Sequence, residues 1–162
     1  MTILVAYGSS RQGTAGLAEM IAAAFVDLGR DAVAVPARTA CVPSGYEAVV
    51  VAGSLSAGRW HRNARRWVRS HASTLRTTPT WLVTSGPLDD SARSGAIPPV
   101  PQVAAAMDLV RARGHMTFGG YLSPDARGFP ASAMARSRAG DWRDPGHVRE
   151  WVASVDAELS AV

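Results

Sequence analysis

The opening residues constrain the fold most strongly, because an apolar run is followed at once by a polar loop and a helical pattern. The run at residues 3–7 contains no alternating polar residue, which is typical of a strand buried on both faces of a parallel sheet. After Gly8 the chain turns polar, and apolar residues return with helical spacing from Thr14. The sequence therefore predicts a central strand, a loop at its carboxyl end and a helix over residues 14–28.

This loop carries groups that bind an anion. Ser9, Ser10, Gly13 and Thr14 offer hydroxyls and unhindered backbone N–H groups, and the dipole at a helix N-terminus favours negative charge. We therefore expect a phosphate at the loop, with ordinary turn and helix-cap roles for the same residues as the alternative. Arg11, the only charged residue of the loop, either pairs with that phosphate or points into solvent.

Two common phosphate-binding sequences are excluded. The chain has no lysine, so it cannot form the G-x-x-x-x-G-K-[ST] loop of NTPases, and it has no G-x-G-x-x-G pattern of the dinucleotide-binding type. The sequence therefore disfavours an NTPase site and a dinucleotide-binding site of the Rossmann type.

Composition limits the class of protein. A chain of 162 residues, 47% of them hydrophobic and 19% charged, fits one globular domain over residues 1–162. No apolar run approaches the roughly 18 residues that a membrane span needs, so we expect a cytoplasmic protein. The single cysteine, Cys41, excludes an internal disulfide and a thiolate metal cluster, and we expect no metal site.

All cationic residues are arginine, and the net charge is +4. A positive field suits an anionic ligand or peripheral contact with a membrane surface. Several arginines cluster in residues 58–75, where we expect a solvated helix face rather than a nucleic-acid site, because no nucleic-acid-binding motif accompanies them. His61 and His71 are expected at the surface.

Strand and helix patterns alternate along the rest of the chain. Further strands are predicted at residues 31–35, 46–52, 79–85 and 115–122. Helices are predicted at residues 58–75, 101–113 and 145–159, with Gly29 and Gly114 ending the first and third helices and Asp144 capping the last. Residues 88–101 and 123–140 are predicted loops, the second with a short helix at 131–136.

This alternation predicts an α/β fold with a doubly wound parallel sheet of five strands in the order 2-1-3-4-5. In that order the ends of strands 1, 3 and 4 meet beside one crevice, where such sheets bind ligands. The candidate site residues follow these three strand ends: Ser9, Ser10, Arg11, Gln12, Gly13 and Thr14; Ser54, Leu55, Ser56, Ala57, Gly58 and Trp60; Thr84, Ser85, Gly86, Pro87 and Leu88.

Five stretches carry a family resemblance: AYGSSRQGTAGLAEMIA, YEAVVVAGSLSAGRWHRNARRWVRSH, WLVTSGPL, TFGGYL and GDWRDPGHVREWV. They resemble the flavodoxin-domain family that includes the menaquinone-dependent protoporphyrinogen dehydrogenases, particularly short actinobacterial members. The resemblance implies a flavodoxin-like three-layer fold, FMN as the cofactor and redox chemistry. The stretch at residues 123–140 is shorter and less apolar than in the porphyrinogen dehydrogenases, and the positive charge differs from the acidic surface expected of flavodoxins.

The resemblance also assigns roles within the candidate site. The first loop is similar to the S/T-x-T-G-x-T turn that wraps the FMN phosphate, with Ser9 and Thr14 in register, Gln12 where glycine is usual and Gly13 displaced by one position. Trp60 either covers the flavin ring or belongs to the core of the helix at residues 58–75.

Three functions remain open at this point. The first is an FMN-dependent oxidoreductase acting on a quinone, a porphyrinogen or a similar small-molecule redox substrate. The second is a non-enzymatic FMN carrier with an electron-transfer partner, and the third is a binding module that has lost flavin. We expect no nucleic-acid partner. The loops at residues 88–101 and 123–140 are predicted to border the crevice. Four arginines of these loops either surround the entrance with positive charge or are independently solvated: Arg93, Arg127, Arg136 and Arg138.

Overall fold

The computed structural model of the chain describes residues 1–9, 12–40, 43–124 and 139–161. Cys41 and the short helix predicted at 131–136 lie outside these residues. The strands are β1 (Thr2–Gly8), β2 (Asp31–Pro36), β3 (Ala48–Ser56), β4 (Arg59–Trp60), β5 (Thr80–Ser85), β6 (Gly114–Phe118), β7 (Tyr121–Leu122) and β8 (Gly140–Asp141). The helices are α1 (Gln12–Asp27), α2 (Arg62–Ser70), α3 (Ala72–Leu75), α4 (Ser91–Ser94), α5 (Pro101–Val110) and α6 (Pro145–Ser160).

The five long strands form a parallel sheet in the order β2-β1-β3-β5-β6. Counted over these five strands, this is the predicted order 2-1-3-4-5, which is confirmed. β4 is an additional short strand that pairs antiparallel with the end of β3. β7 and β8 pair with each other in a separate antiparallel ribbon.

Each face of the sheet is covered by helices, and β1 shows why its sequence lacks alternation. Ile3 and Val5 belong to a core with α1 and α6. Leu4 and Ala6 point the other way, into a core with α2 and α5. Because successive side chains of a strand point to opposite faces, a strand with two buried faces is apolar throughout. The fold therefore has the three layers that the sequence predicted.

The ends of the first and last helices follow local sequence signals. α1 begins two residues earlier than predicted, and the chain leaves it through Gly29 at a φ of +89°. Asp144 caps α6 as predicted, because its carboxylate accepts hydrogen bonds from the backbone N–H groups of Gly146 (2.8 Å) and His147 (3.2 Å). These bonds lower the pKa of the Asp144 carboxyl.

The helix predicted at residues 58–75 is wrong at its start. Ala57 and Gly58 have φ angles of +50° and +74° and form the tight turn of a hairpin in which Leu55 pairs with Trp60. Two positive φ angles in a two-residue loop match the twist of paired strands. α2 therefore begins only at Arg62, and a break at His71 separates it from α3.

The strand predicted at residues 115–122 and the helix predicted at residues 101–113 also differ from the structure. The strand ends at Phe118, and Tyr121 and Leu122 pair with β8 instead of extending the sheet. The helix ends at Val110 because Arg111 adopts a left-handed conformation (φ 54°). Gly114, predicted to end this helix, is the first residue of β6.

Arg30 joins three elements that are distant in the chain. Its guanidinium pairs with Glu47, just before β3, and with Asp156 on α6. It also donates a hydrogen bond of 2.9 Å to Ser160 Oγ. The start of β2 is thus tied to the end of α6, opposite the carboxyl edge of the sheet.

Within the described residues, no helix is both long and apolar enough to cross a membrane.

Candidate functional site

The sheet brings the predicted strand ends together at its carboxyl edge. Gly8 at the end of β1 lies opposite Gly53 of β3. One residue further along β3, Ser54 lies opposite Ser85, the last residue of β5. The three loops that follow these strands therefore leave the sheet side by side, as the strand order requires.

The turn after β1 leads directly into α1. Ser9 is half-buried and Thr14 is buried at 2% exposure. The side chain of Gln12 and the whole of Ser10 and Arg11 lie outside the described part of the chain. The first backbone N–H groups of α1 have no carbonyl partner within the helix and face the turn, which makes this end of the helix suited to an anion.

Two glycines allow neighbouring elements to close around the turn. A Cβ on Gly8 would lie 2.7 Å from the backbone nitrogen of Ala64 on α2. A Cβ on Gly13 would lie 3.1 Å from the carbonyl oxygen of Tyr121 on β7. The displaced Gly13 of the sequence pattern is thus the residue that lets β7 approach the first turn of α1.

Arg143 holds the β7–β8 ribbon against this first turn. Its guanidinium donates two hydrogen bonds of 2.8 Å to the Asp141 carboxylate and one of 3.4 Å to the carbonyl oxygen of Gly13. It also lies 4.7 Å from the centre of the Tyr121 ring. The hydrogen bonds from Arg143 lower the pKa of the Asp141 carboxyl. The turn after β1 is therefore braced by a segment more than a hundred residues away in the chain, which no local sequence signal indicates.

A cavity of about 590 Å³ lies at the same edge, beyond the ends of β3, β5 and β6. Seven predicted site residues line it: Leu55, Ala57, Gly58, Thr84, Gly86, Pro87 and Leu88. Its volume lies in the range of small-molecule sites, roughly 300 to 1,000 Å³, which are mostly apolar with a few placed polar groups. The structure thus brings the second and third predicted loops to one pocket.

Four lining residues were absent from the predicted site: Ile97, Pro98, Val100 and Thr117. The first three belong to the loop at residues 88–101, which was predicted to border the crevice. Apolar residues within an otherwise polar loop were the available signal for them. Thr117 lies opposite Thr84 on the neighbouring strand, a register that only the sheet defines.

The other predicted residues of the second and third loops have structural contacts. Ser54 accepts a hydrogen bond of 2.8 Å at its carbonyl from the His61 backbone N–H, Ser56 pairs with Arg59 in the hairpin, and Ser85 is 5% exposed within β5. None of these contacts tests their assignment to a cofactor.

Trp60 lies in the core rather than over the crevice. Its side chain is 1% exposed, and its indole N–H donates to the carbonyl oxygen of Val83 at 3.3 Å. A Cβ on Gly53 would lie 2.4 Å from the indole nitrogen, so the ring packs directly on β3. This burial favours the core interpretation of Trp60 over the flavin-covering one, although the residue belongs to β4 and not to the helix.

Two histidines, His115 and His61, form hydrogen bonds near the carboxyl edge of the sheet. His115 Nε2 lies 2.9 Å from the hydroxyl oxygen of Thr84, and burial lowers the pKa of His115 to about 4. His61, predicted at the surface, is half-buried and caps α2, since its Nδ1 accepts from the Asn63 backbone N–H at 3.1 Å. Burial, with a contribution from the Arg65 cation, lowers the pKa of His61. Both imidazoles are therefore neutral at physiological pH.

Arg93 does not add free positive charge to the entrance, which corrects that expectation. It pairs with Glu150 (2.9 Å) and Asp144 (3.3 Å) and ties the loop at residues 88–101 to α6. The other three arginines expected there, Arg127, Arg136 and Arg138, lie outside the described residues.

These observations test whether the site fits a phosphate-bearing cofactor with an apolar ring. The turn after β1 offers helix N–H groups and hydroxyls for a phosphate, and the adjacent edge offers an apolar cavity whose lining includes Thr84 and Thr117. The residues present therefore fit such a group.

A protein-family model described as the flavodoxin domain matches residues 4–129. The chain therefore belongs to the flavodoxin-domain family. Membership implies FMN as the cofactor, as the resemblance predicted. No curated protein sequence matches the chain.

Solved structures share the fold at low sequence identity. A mutant flavodoxin from Pseudomonas aeruginosa is 14% identical, with 99% of each chain covered and a TM-score of 0.62. Oxidised flavodoxin 1 from Bacillus cereus is 10% identical, with 97% of this chain and 98% of that chain covered and a TM-score of 0.62. Rubredoxin oxygen:oxidoreductase from Desulfovibrio gigas is 12% identical with a TM-score of 0.66; the match covers 99% of this chain but 36% of that enzyme.

Proposed function

We propose that this chain is an FMN-dependent oxidoreductase that exchanges electrons with a quinone, a porphyrinogen or a similar apolar compound. The observation that carries the proposal is the apolar cavity at the carboxyl edge, which lies on the same edge as the anion-binding turn. Such an arrangement accommodates a ligand with a charged phosphate at one end and a planar apolar ring at the other.

Two groups of residues would hold FMN. Ser9, Thr14 and the first N–H groups of α1 would bind the phosphate, while Leu55 and the Gly86–Pro87 backbone would border the ring. When bound, FMN supplies the electron and hydride chemistry, so the protein needs no catalytic acid–base pair. The chain's own contribution is to orient the ring, to exclude water with Leu88 and Val100, and to present the Thr84 hydroxyl held by His115.

The first experiment is to measure FMN and riboflavin binding to the purified chain by flavin fluorescence. We expect FMN to bind more tightly than riboflavin, because only FMN carries the phosphate. Replacing both Ser9 and Thr14 with glutamate should remove this difference through like-charge repulsion at the turn. Unchanged FMN affinity in the double variant would contradict the phosphate assignment.

The second experiment addresses the substrate. We expect the FMN-loaded chain to reduce a soluble quinone when a chemical reductant is supplied. A second assay tests a porphyrinogen as the electron donor in place of that reductant. FMN binding without turnover of either compound would leave a non-enzymatic electron carrier as the function. We also propose a cytoplasmic location and a relation to the protoporphyrinogen dehydrogenases, the latter supported by the GDW and TFGGYL stretches.

A further inference from the structure

The chain between Glu47 and Asp89 contains no acidic residue. The same stretch carries six arginines: Arg59, Arg62, Arg65, Arg66, Arg69 and Arg76. This quarter of the chain therefore carries a charge of +6, while the remaining residues together carry −2. This stretch includes β4 and α2, which directly follow the hairpin turn that lines the cavity.

Four of these arginines form one surface on α2. Arg62, Arg66 and Arg69 are exposed, while Arg65 is half-buried and donates a hydrogen bond of 3.2 Å to the carbonyl oxygen of Trp60. Spacings of three, four and seven residues place them on one side of a helix, and together they line a depression of about 210 Å³. We call this surface the α2 arginine face.

No carboxylate neutralises the α2 arginine face within the described residues. The arginines that form ion pairs in the described part of the chain are Arg30, Arg93 and Arg143, and none of them is on α2. Like charges three and four residues apart destabilise an isolated helix, so this cluster has no stabilising effect on α2 by itself. Its positive field is therefore available to an external anionic group.

A second, partly apolar depression lies beside the α2 arginine face. This depression of about 170 Å³ lies between α2 and α5, with Arg65 and Arg69 on one side and Ala105 and Leu109 on the other. Arginine forks bind planar carboxylates with two parallel hydrogen bonds. A partner with acidic side chains and an occasional apolar one would fill both depressions.

A membrane surface fits this face less well. The described large apolar side chains that are exposed are Met1, Val26, Leu28, Val33 and Trp142, and none of them is on α2 or α5. Peripheral membrane binding is strengthened when apolar side chains enter the lipid beside the basic residues. The face offers charge without such anchors.

We propose that the α2 arginine face is the docking surface for an acidic electron-transfer protein that exchanges electrons with the flavin site. The proposal rests on the proposed function, because it is the neighbouring crevice that gives such a partner a redox role. Arg59 and the turn at Ala57 and Gly58 connect the face to the cavity, so a partner seated on α2 lies beside the ring-binding edge.

The test measures binding of a fluorescently labelled oligoglutamate peptide to the FMN-free chain, with an oligoglutamine peptide of equal length as the neutral probe. One variant combines Arg62→Gln, Arg66→Gln and Arg69→Gln. The control variant combines Arg38→Gln, Arg111→Gln and Arg149→Gln, which removes the same charge from exposed arginines on other elements. Both variants are also checked for FMN affinity and melting temperature, which should match the parent chain.

We expect oligoglutamate to bind the parent chain at low salt and to weaken as salt screens the charges. The α2 variant should bind about tenfold more weakly, as expected for the loss of three exposed charge pairs, and the control variant within about twofold. Amide chemical-shift changes should map to α2 and the hairpin turn.

Equal losses in the two variants would overturn the proposal, since net charge alone would then explain binding. It would also be overturned if vesicles containing phosphatidylglycerol, or duplex DNA, bound through these arginines more tightly than oligoglutamate. Peptide binding is measured without FMN, so the two proposals are tested separately. A parent chain that binds FMN but not oligoglutamate would contradict only the docking surface. A parent chain that does not bind FMN would contradict the proposed function.

Discussion

Gly119 shows how a single residue controls the carboxyl edge. A Cβ on Gly119 would lie 2.0 Å from the backbone oxygen of Trp142. Its neighbour Gly120 donates a hydrogen bond of 2.8 Å to the carbonyl oxygen of Pro87 and accepts one of 2.8 Å from the Trp142 backbone N–H. The two glycines therefore allow three backbone segments to meet beside the cavity.

Replacing Gly119 with alanine should destabilise the protein by about 1 to 3 kcal/mol, because backbone atoms, unlike a flexible side chain, cannot move away cheaply. Urea denaturation measures this change. Gly95→Ala is the matched control, since a Cβ there meets nothing within 4 Å, and it should have little effect. Equal midpoints for the two variants would show that the segment at Trp142 moves freely.

His115 predicts how stability depends on pH. Its pKa is about 4 in the folded chain against an ordinary 6.5, because burial disfavours the charged imidazole. Between these values the unfolded chain binds a proton that the folded chain does not, so stability is lost as pH falls from 6.5 towards 4. Above 6.5 the residue contributes no pH dependence.

Comparing urea midpoints at about pH 7.5 and about pH 5 checks this expectation. His115→Gln retains an amide group facing Thr84 but does not titrate, so its stability should fall less on acidification than that of the parent chain. His61 and His147 also have lowered pKa values, and they are present in both proteins. Identical pH slopes would exclude His115 as a source of the effect.

At the scale of elements, the β7–β8 ribbon contacts the first turn of α1, where the FMN phosphate is proposed to bind, through Arg143. We expect Arg143→Ala to weaken FMN binding by about tenfold, as for loss of one charge-assisted hydrogen bond. Riboflavin affinity should not change, because Arg143 contacts Gly13 and not the cavity. Fluorescence titration with both flavins measures the two affinities.

Arg149→Ala is the control for this comparison, because Arg149 is exposed on α6. It should leave both affinities unchanged. If Arg143→Ala weakened both flavins equally, the ribbon would support the whole site rather than the phosphate end.

The hairpin formed by β3 and β4 is the element that sequence patterns predicted least well. Trp60 has the spacing of a helical apolar residue with Ala64 and Trp67, so it was placed on the helix. In the structure all three side chains enter the same core, although Trp60 does so from a strand. Apolar periodicity identifies which side chains are buried, but it does not identify the backbone conformation that buries them.

On the scale of the whole molecule, charge is distributed unevenly around the sheet. Arg30 and Arg93 pair with carboxylates on elements far apart in the chain. Arg143 pairs with the nearby Asp141 and reaches α1 through its hydrogen bond to the Gly13 carbonyl oxygen. The arginines of α2 have no such role. The arginines that pair with carboxylates thus help to hold the fold together, whereas Arg62, Arg66 and Arg69 of α2 face solvent.

The sequence by itself determined the strand order and the three layers, and it identified residues of the second and third loops that line the cavity. These follow from local properties: apolar runs where β1 and β3 are buried on both faces, the cap at Asp144, and the right-handed connection between parallel strands. Tertiary structure alone decided the hairpin at Ala57, the core position of Trp60 and the contact of Arg143 with Gly13. Each of these depends on residues distant in the chain approaching one another, and local patterns carry no information about such distances.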